Sequence, residues 1–321
     1  MLVNIFKAKT PVSVISSPIL VAVLALSVFF RDNTADTTAF FSWQADVQNQ
    51  IGSLPWLNYL ITIAIISLNA HQLTNLFNQH SFFARATFIP GLLYVILLAG
   101  FGEFRFGFGL IAHLFVIFSM MYLFQLRRQE PAKDIIFKAG LLAGMAWALS
   151  FSLGTFILAP WIGLLIFKPF IWREWLLAAV GLALPMTYQL SILFLADVDL
   201  SKQLNMLAFE NQGVVLSEIE IAHWILLGLI LLITIVKVLQ IRAKSIVRFK
   251  KLMSLLFYIT ALTALSLAAD WFVSGQLSSV VAVPLSVLIG VHFLNSRNES
   301  FVGIVVIGWF IISGINHFVQ G

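Results

Sequence analysis

The chain has no cysteine, and only 10% of its residues are charged. Without cysteine there is no disulfide framework, no thiol nucleophile and no thiolate-bound metal. Soluble domains carry about 25% charge, so a chain this poor in charge is read as a polytopic membrane protein. Long polar connectors are also missing, which leaves no soluble domain of any size. The scarcest feature of all is charge in the middle of the apolar runs. Proton-coupled transporters and pumps place Asp, Glu, Arg or His at membrane depth. Here the mid-run polar residues are mostly neutral, such as Gln189, with His113 a short way below the outer surface. That pattern argues against an ion-coupled transporter and ranks small-molecule transport third among the functions considered.

What is present points the same way. Of 321 residues, 60% are hydrophobic, the mean hydropathy is +0.97, and there are 30 Phe and 9 Trp. Such aromatic content suits lipid-facing helices and interfacial belts. The first thirty residues imitate a signal peptide, with Lys7 and Lys9 ahead of an apolar run. That run lacks a small-x-small cleavage site and is read as an uncleaved first span. A net charge of +5 invites a nucleic-acid reading, but the basic residues sit in short gaps between apolar runs, the pattern of membrane orientation. Nucleic acid is therefore not an expected partner.

Runs of spanning length lie near 12–30, 56–77, 84–101, 108–126, 174–196, 222–240, 251–269, 278–294 and 301–319. The region 135–167 is too long for one helix across a hydrocarbon core of about 30 Å and short for two full spans. Ser152, Gly154 and Thr155 mark a break at its middle. Arg127, Arg128, Lys133 and Lys138 precede it, and Lys168 and Arg173 follow it. If both ends are cytoplasmic, the region is a hairpin of two short helices. With the N-terminus inside, 16 of 19 basic residues are then cytoplasmic and ten of fourteen acidic residues are outside. The expected fold is one all-α integral membrane domain over 1–321, with about eleven transmembrane segments including the short helical hairpin. Its N-terminus is cytoplasmic and its C-terminus periplasmic. Two outer segments exceed connector length: 31–55, expected to carry an interfacial helix, and the acidic loop 197–221.

Ionisable residues gather at the outer face: Arg31, Asp32, Asp36, Asp46, Glu103, Arg105, Asp197, Asp199, Lys202 and Asp270, with His113 below Glu103 and Arg105. A carboxylate near an arginine at a membrane surface suits transfer chemistry on a lipid-linked phosphate. The carboxylate acts as general base, and the arginine holds phosphate oxygens. The bland alternative for "GFGEFRFGFG" (100–109) is a salt-bridged interfacial turn with phenylalanine anchors, and for "DNTAD" (32–36) a solvated acidic loop. "DVD" (197–199) and "EIE" (218–220) have the spacing of carboxylate pairs, which is common by chance, and no metal or other cofactor is assigned. "NAHQLTNLFNQH" (69–80) is expected to be a polar cytoplasmic helix end with a structural role.

The stretch 138–197, with its Gly-rich short hairpin, its "KPFIWRE" turn and its "GLALP" span, resembles an uncharacterised family of polytopic inner-membrane proteins from Bacteroidota. That resemblance implies a bacterial inner membrane and no activity. The same hairpin, basic turn and "GLALP" span are similar to the core of C-type membrane glycosyltransferases, which use polyprenyl-phosphate sugars. By that resemblance Asp32 or Asp36 stands where the family's essential acidic residue falls, and 38–52 where its interfacial helix lies. The chain departs from the family in having "EFR" in place of an acidic pair in the second outer loop, and in lacking a large outer domain after the last span. The resulting expectation is a cell-envelope assembly protein binding polyprenyl phosphate, with Asp32 and Asp36 catalytic and Glu103, Arg105, His113 and Arg31 binding substrate. The alternative is a non-catalytic scaffold or subunit with membrane-protein partners.

Overall fold

A computed structural model describes residues 11–29, 41–80, 82, 86–127, 131–197, 218–274, 278–296 and 299–319. Every regular element among them is helical. Helix α1 (Pro11–Ala25) tightens into a 3-10 turn at Leu26–Phe29, and α2 is the short Ser42–Gly52. Then follow α3 (Pro55–Gln79), α4 (Ile89–Phe101), α5 (Phe108–Phe124), α6 (Lys133–Leu149) and α7 (Ala159–Phe167). The order closes with α8 (Trp172–Leu195), α9 (Glu218–Lys244), α10 (Val247–Ser274), α11 (Ala282–Leu294) and α12 (Glu299–Val319).

Among the described residues, four stretches are long and apolar enough to cross a membrane: α3, α8, Glu220–Lys244 of α9 and Val247–Trp271 of α10. The other apolar helices are shorter. At 13 residues, α4 rises only about 20 Å at 1.5 Å per residue. Its whole surface is buried, and α11 is nearly as enclosed. A helix that is apolar all round is stable only when surrounded, so α4 and α11 form the middle of the bundle. By contrast α8 shows Tyr188, Ile192, Phe194 and Leu195 on its surface. In water such faces would be unstable; in lipid they need no partner.

The region 135–167 holds two helices, α6 and α7, joined by a 3-10 segment. Ser150 (φ −143°, ψ 117°) ends α6, and Phe151–Leu158 runs as a 3-10 turn into α7, which has a proline in its first turn. The α-helical path is thus interrupted over 150–158, which includes Ser152, Gly154 and Thr155; a Cβ added to Gly154 would lie 3.6 Å from Trp147 Nε1. The two ends of the region meet at one carboxylate. Glu174 Oε1 accepts from the Ala132 N–H (3.0 Å), just before α6, and from Lys168 Nζ (2.9 Å), just after α7. Helix α6 then lies against α8 at glycines. A Cβ on Gly140 would come within 2.6 Å of the Ala178 carbonyl oxygen, and one on Gly144 would strike that of Leu182. Small residues four apart let backbones approach this closely.

Candidate functional site

The turn between α4 and α5 collects polar side chains from helices far apart in sequence. Its shape comes from Gly102, whose φ of 73° is left-handed. The Gly102 N–H bonds the Ala99 carbonyl and the Glu103 N–H bonds Leu98 (3.1 and 3.2 Å). This pairing closes the end of α4 in a Schellman motif, which favours glycine because a side chain is strained at that φ. Helix α4 therefore stops sharply and turns residues 103–107 across the end of the bundle.

Residues of that turn meet several other elements. The Gly100 carbonyl accepts from Asn316 Nδ2 on α12 (3.1 Å). The His223 ring of α9 lies so close to Gly100 that a Cβ there would fall on it. Phe104 packs on the His317 ring (centroids 4.9 Å), and His317 Nε2 in turn meets Ser27 Oγ (2.6 Å) at the end of α1. The Phe106 N–H donates to Asn58 Oδ1 (2.8 Å) at the start of α3. Glu103 accepts from the Ser279 N–H (3.2 Å) and from the Ser279 hydroxyl, just before α11. One end of α1, α3, α4, α5, α9, α11 and α12 thus meets around 100–106.

Behind Glu103 the polar contacts continue into the bundle. Ser279 Oγ is 3.4 Å from His113 Nε2, and His113 Nδ1 is 2.9 Å from the Tyr94 hydroxyl. Asn69 Nδ2 donates to the Tyr94 oxygen (3.2 Å) and to the Leu110 carbonyl (2.9 Å). Asn69, Tyr94 and His113 are fully buried and Ser279 nearly so, while Glu103 and Arg105 are half-buried. Burying such groups is tolerated when they bond one another.

Of the site residues expected from sequence, Glu103 and His113 come together through Ser279. They do not form a hydrolase-type triad: the carboxylate contacts the serine, and the other histidine nitrogen faces a tyrosine, so no acid orients the imidazole. Arg105 lies two residues on in the same turn. Asp32, Asp36 and Arg31 lie outside the described residues, as do Asp199 and most of the loop 197–221. No three His, Cys, Asp or Glu side chains gather as metal ligands among the described residues. Asn69 departs from the cytoplasmic-end reading of 69–80. It sits midway along α3 and serves the interior chain, whereas Asn78 and His80 lie at the helix end, Asn78 bonding Thr87 (3.0 Å). Ser279, Tyr94, His223 and Asn316 are members that sequence reasoning missed. Their one signal is that each is a hydrogen-bonding residue inside or beside an apolar run.

The opposite end of the bundle is charged. Besides the buried Lys168–Glu174 pair, Lys251 lies 5.8 Å from the centre of the Phe167 ring. His80 packs edge-on against Phe124, and the positive charge of Arg248 acts on it. Burial first, and that charge second, lower its pKa to about 4.

No model of a known protein family, no curated protein and no solved structure matches the chain.

Proposed function

We propose that the chain is a multi-pass protein of the bacterial inner membrane, with eleven spans, its N-terminus inside and its C-terminus outside. In this reading it acts in cell-envelope assembly and binds a polyprenyl-phosphate-linked substrate at the outer face, in the manner of a membrane glycosyltransferase. The observation that carries the reading is the junction at 100–106. The helix ends that meet there are those that charge parity assigns to the outer side, and the junction bears a half-buried carboxylate and an arginine in one turn. An arginine is the side chain suited to phosphate, through paired N–H donors, and it stands where a lipid phosphate at the membrane surface would lie. The meeting of Ala132, Lys168 and Glu174 supports the in-and-back path of 135–167 on which the orientation depends. Asp32 and Asp36 remain the proposed bases by their resemblance alone, with Arg31 beside them.

Native mass spectrometry of protein purified in mild detergent tests the reading. Polyprenyl phosphate should stay bound to the wild type and be lost from Arg105→Ala. Ordinary phospholipid alone in both samples would overturn it. The alternative, a non-catalytic subunit of an envelope complex, draws on the way the junction's side chains are bonded to one another. Under that reading co-purifying membrane proteins, rather than a lipid carrier, would be lost when the junction is altered.

A further inference from the structure

The charged end of the bundle carries cations that the chain itself does not balance. Between Ile221 and Ala269 there are six lysines and arginines and no aspartate or glutamate. Five of the six, Arg242, Lys244, Arg248, Lys250 and Lys251, surround the turn at Ser245 and Ile246 between α9 and α10. Arg242 and Lys244 close α9 at its negative end and suit it. Arg248, Lys250 and Lys251 open α10 at its positive end, where the first turn has no acidic residue, so the helix gives them no compensation. Lys251 rests over the Phe167 ring, a neutral partner that leaves its charge in place. Arg242 Nε is enclosed with no hydrogen-bond partner. Of the carboxylates described at this end, Asp134 bonds Lys138 (2.8 Å) and Glu174 bonds Lys168 (2.9 Å). Membrane orientation accounts for basic residues at one end of a span, but not for the apolar pair set among them. Ile246 and Val247, at the tip of the turn, are 75% and 72% exposed. Both flanking helices are long and apolar enough to span, so their shared turn lies at the bilayer surface, the depth of lipid phosphates. Exposed apolar side chains ringed by cations at that depth suit entry into an anionic leaflet.

We propose that the turn between α9 and α10 binds the phosphate of an anionic phospholipid in the leaflet at that end, with Arg242, Arg248 and Lys250 around the headgroup and Ile246 and Val247 among the acyl chains beside it. Arginine supplies paired N–H donors to phosphate oxygens, and lysine a point charge. A soluble phosphate would satisfy the cations and leave Ile246 and Val247 in water; a lipid satisfies both. Lys237 favours the same occupant. It is exposed within the span Glu220–Lys244, about 10 Å short of the end of α9 at 1.5 Å per residue. A lysine at that depth reaches back along the helix toward the headgroups, and an anion fixed at headgroup level is the partner it lacks in the chain. The site lies at the opposite end of the bundle from the 100–106 turn and does not depend on the proposed function.

Native mass spectrometry of the purified full chain, offered equal amounts of phosphatidylglycerol and phosphatidylcholine, tests the charge. The wild type should retain phosphatidylglycerol by preference. Arg248→Gln with Lys250→Gln should lower that preference by roughly fivefold for each cation removed. The control, Lys133→Gln with Arg173→Gln, removes two exposed cations at the same end and should leave the preference unchanged. No preference in the wild type overturns the proposal. Equal losses in the two double variants also overturn it, because they would mean surface charge without a site. Inorganic phosphate in excess should not displace the lipid, and displacement would replace the lipid with a soluble ligand. Nucleic acid that copurifies with the wild type and not with the Arg248→Gln, Lys250→Gln protein would overturn it as well. The apolar tip is read separately. The chain has no cysteine, so Val247→Cys places a single spin label at the turn. In phosphatidylglycerol vesicles the label should be accessible to oxygen and shielded from a water-soluble nickel relaxation agent. A label open to the nickel agent overturns the insertion and with it the choice of a lipid. This arm changes no charge, so it decides even where the charge variants do not fold.

Discussion

At one end of the bundle His113, His223 and His317 meet serine, asparagine and tyrosine around a glycine-bearing turn, whereas at the other Lys168, Glu174 and Lys251 are set in place by charge. The end at the 100–106 turn joins seven elements through many modest bonds, each worth about 0.5–1.5 kcal/mol net. The charged end relies on few contacts, one of which is buried on both sides. The two ends should therefore fail differently. A single loss among the histidine contacts of that turn is shared among neighbours, while a single loss at Lys168–Glu174 leaves a charge stranded.

The largest effect is expected at that pair. In Glu174→Leu the Lys168 ammonium, only 2% exposed, loses its carboxylate and the Ala132 N–H loses its acceptor. Breaking a buried ion pair from one side costs about 3–5 kcal/mol, which should appear as a marked drop in the thermal unfolding midpoint in detergent. The double variant Lys168→Met with Glu174→Leu should recover most of that drop, because no charge is then left unpaired. Equal midpoints for the single variant and the wild type would show that water reaches the pair.

Next comes Gly100→Ala. The added methyl falls on the His223 ring, so the ring must move away from Ser313, its partner at 3.2 Å. Overpacking of this kind costs about 1–3 kcal/mol. The displacement should register in the emission of the neighbouring Trp224 and Trp309. The same substitution at Gly109, where a Cβ meets nothing within 4 Å, is the matched control and should leave both stability and emission unchanged.

The helical character of the chain was legible because apolar runs of spanning length need no tertiary information. Each expected run has its helix, and 135–167 holds the two helices, α6 and α7, that its length and the charge pattern called for. The lengths were less legible. The runs at 84–101 and 278–294 yield helices of 13 residues, since Pro90 and Pro284 set where the chain can enter a helix and burial on all sides relaxes the need for full length. At the site, Glu103 and His113 stood out as ionisable residues in an apolar context. Tyr94 and Ser279 did not, because a tyrosine or serine in such a run is ordinary and only long-range contact gives it a role. His223 and Asn316 were hidden for the same reason: what matters is their closeness to Gly100, more than a hundred positions away in the chain.

The smallest effect concerns pH and separates the two ends most selectively. His80 has a pKa lowered from 6.5 to about 4, first by burial and then by Arg248, and its Nε2 is buried with no hydrogen-bond partner. The fold therefore favours the neutral ring. Its contribution is fully present above the unfolded-state pKa of 6.5 and is lost as pH falls from there toward about 4, because the unfolded chain takes up the proton first. The ring is partly open to solvent, which screens the effect, so the loss should be gradual. Unfolding midpoints measured across that window should decline in the wild type and decline less in His80→Leu, which keeps the contact with Phe124 and removes the titrating group. An identical decline in both proteins would place the acid sensitivity elsewhere and leave the charged end without a pH-dependent element at His80.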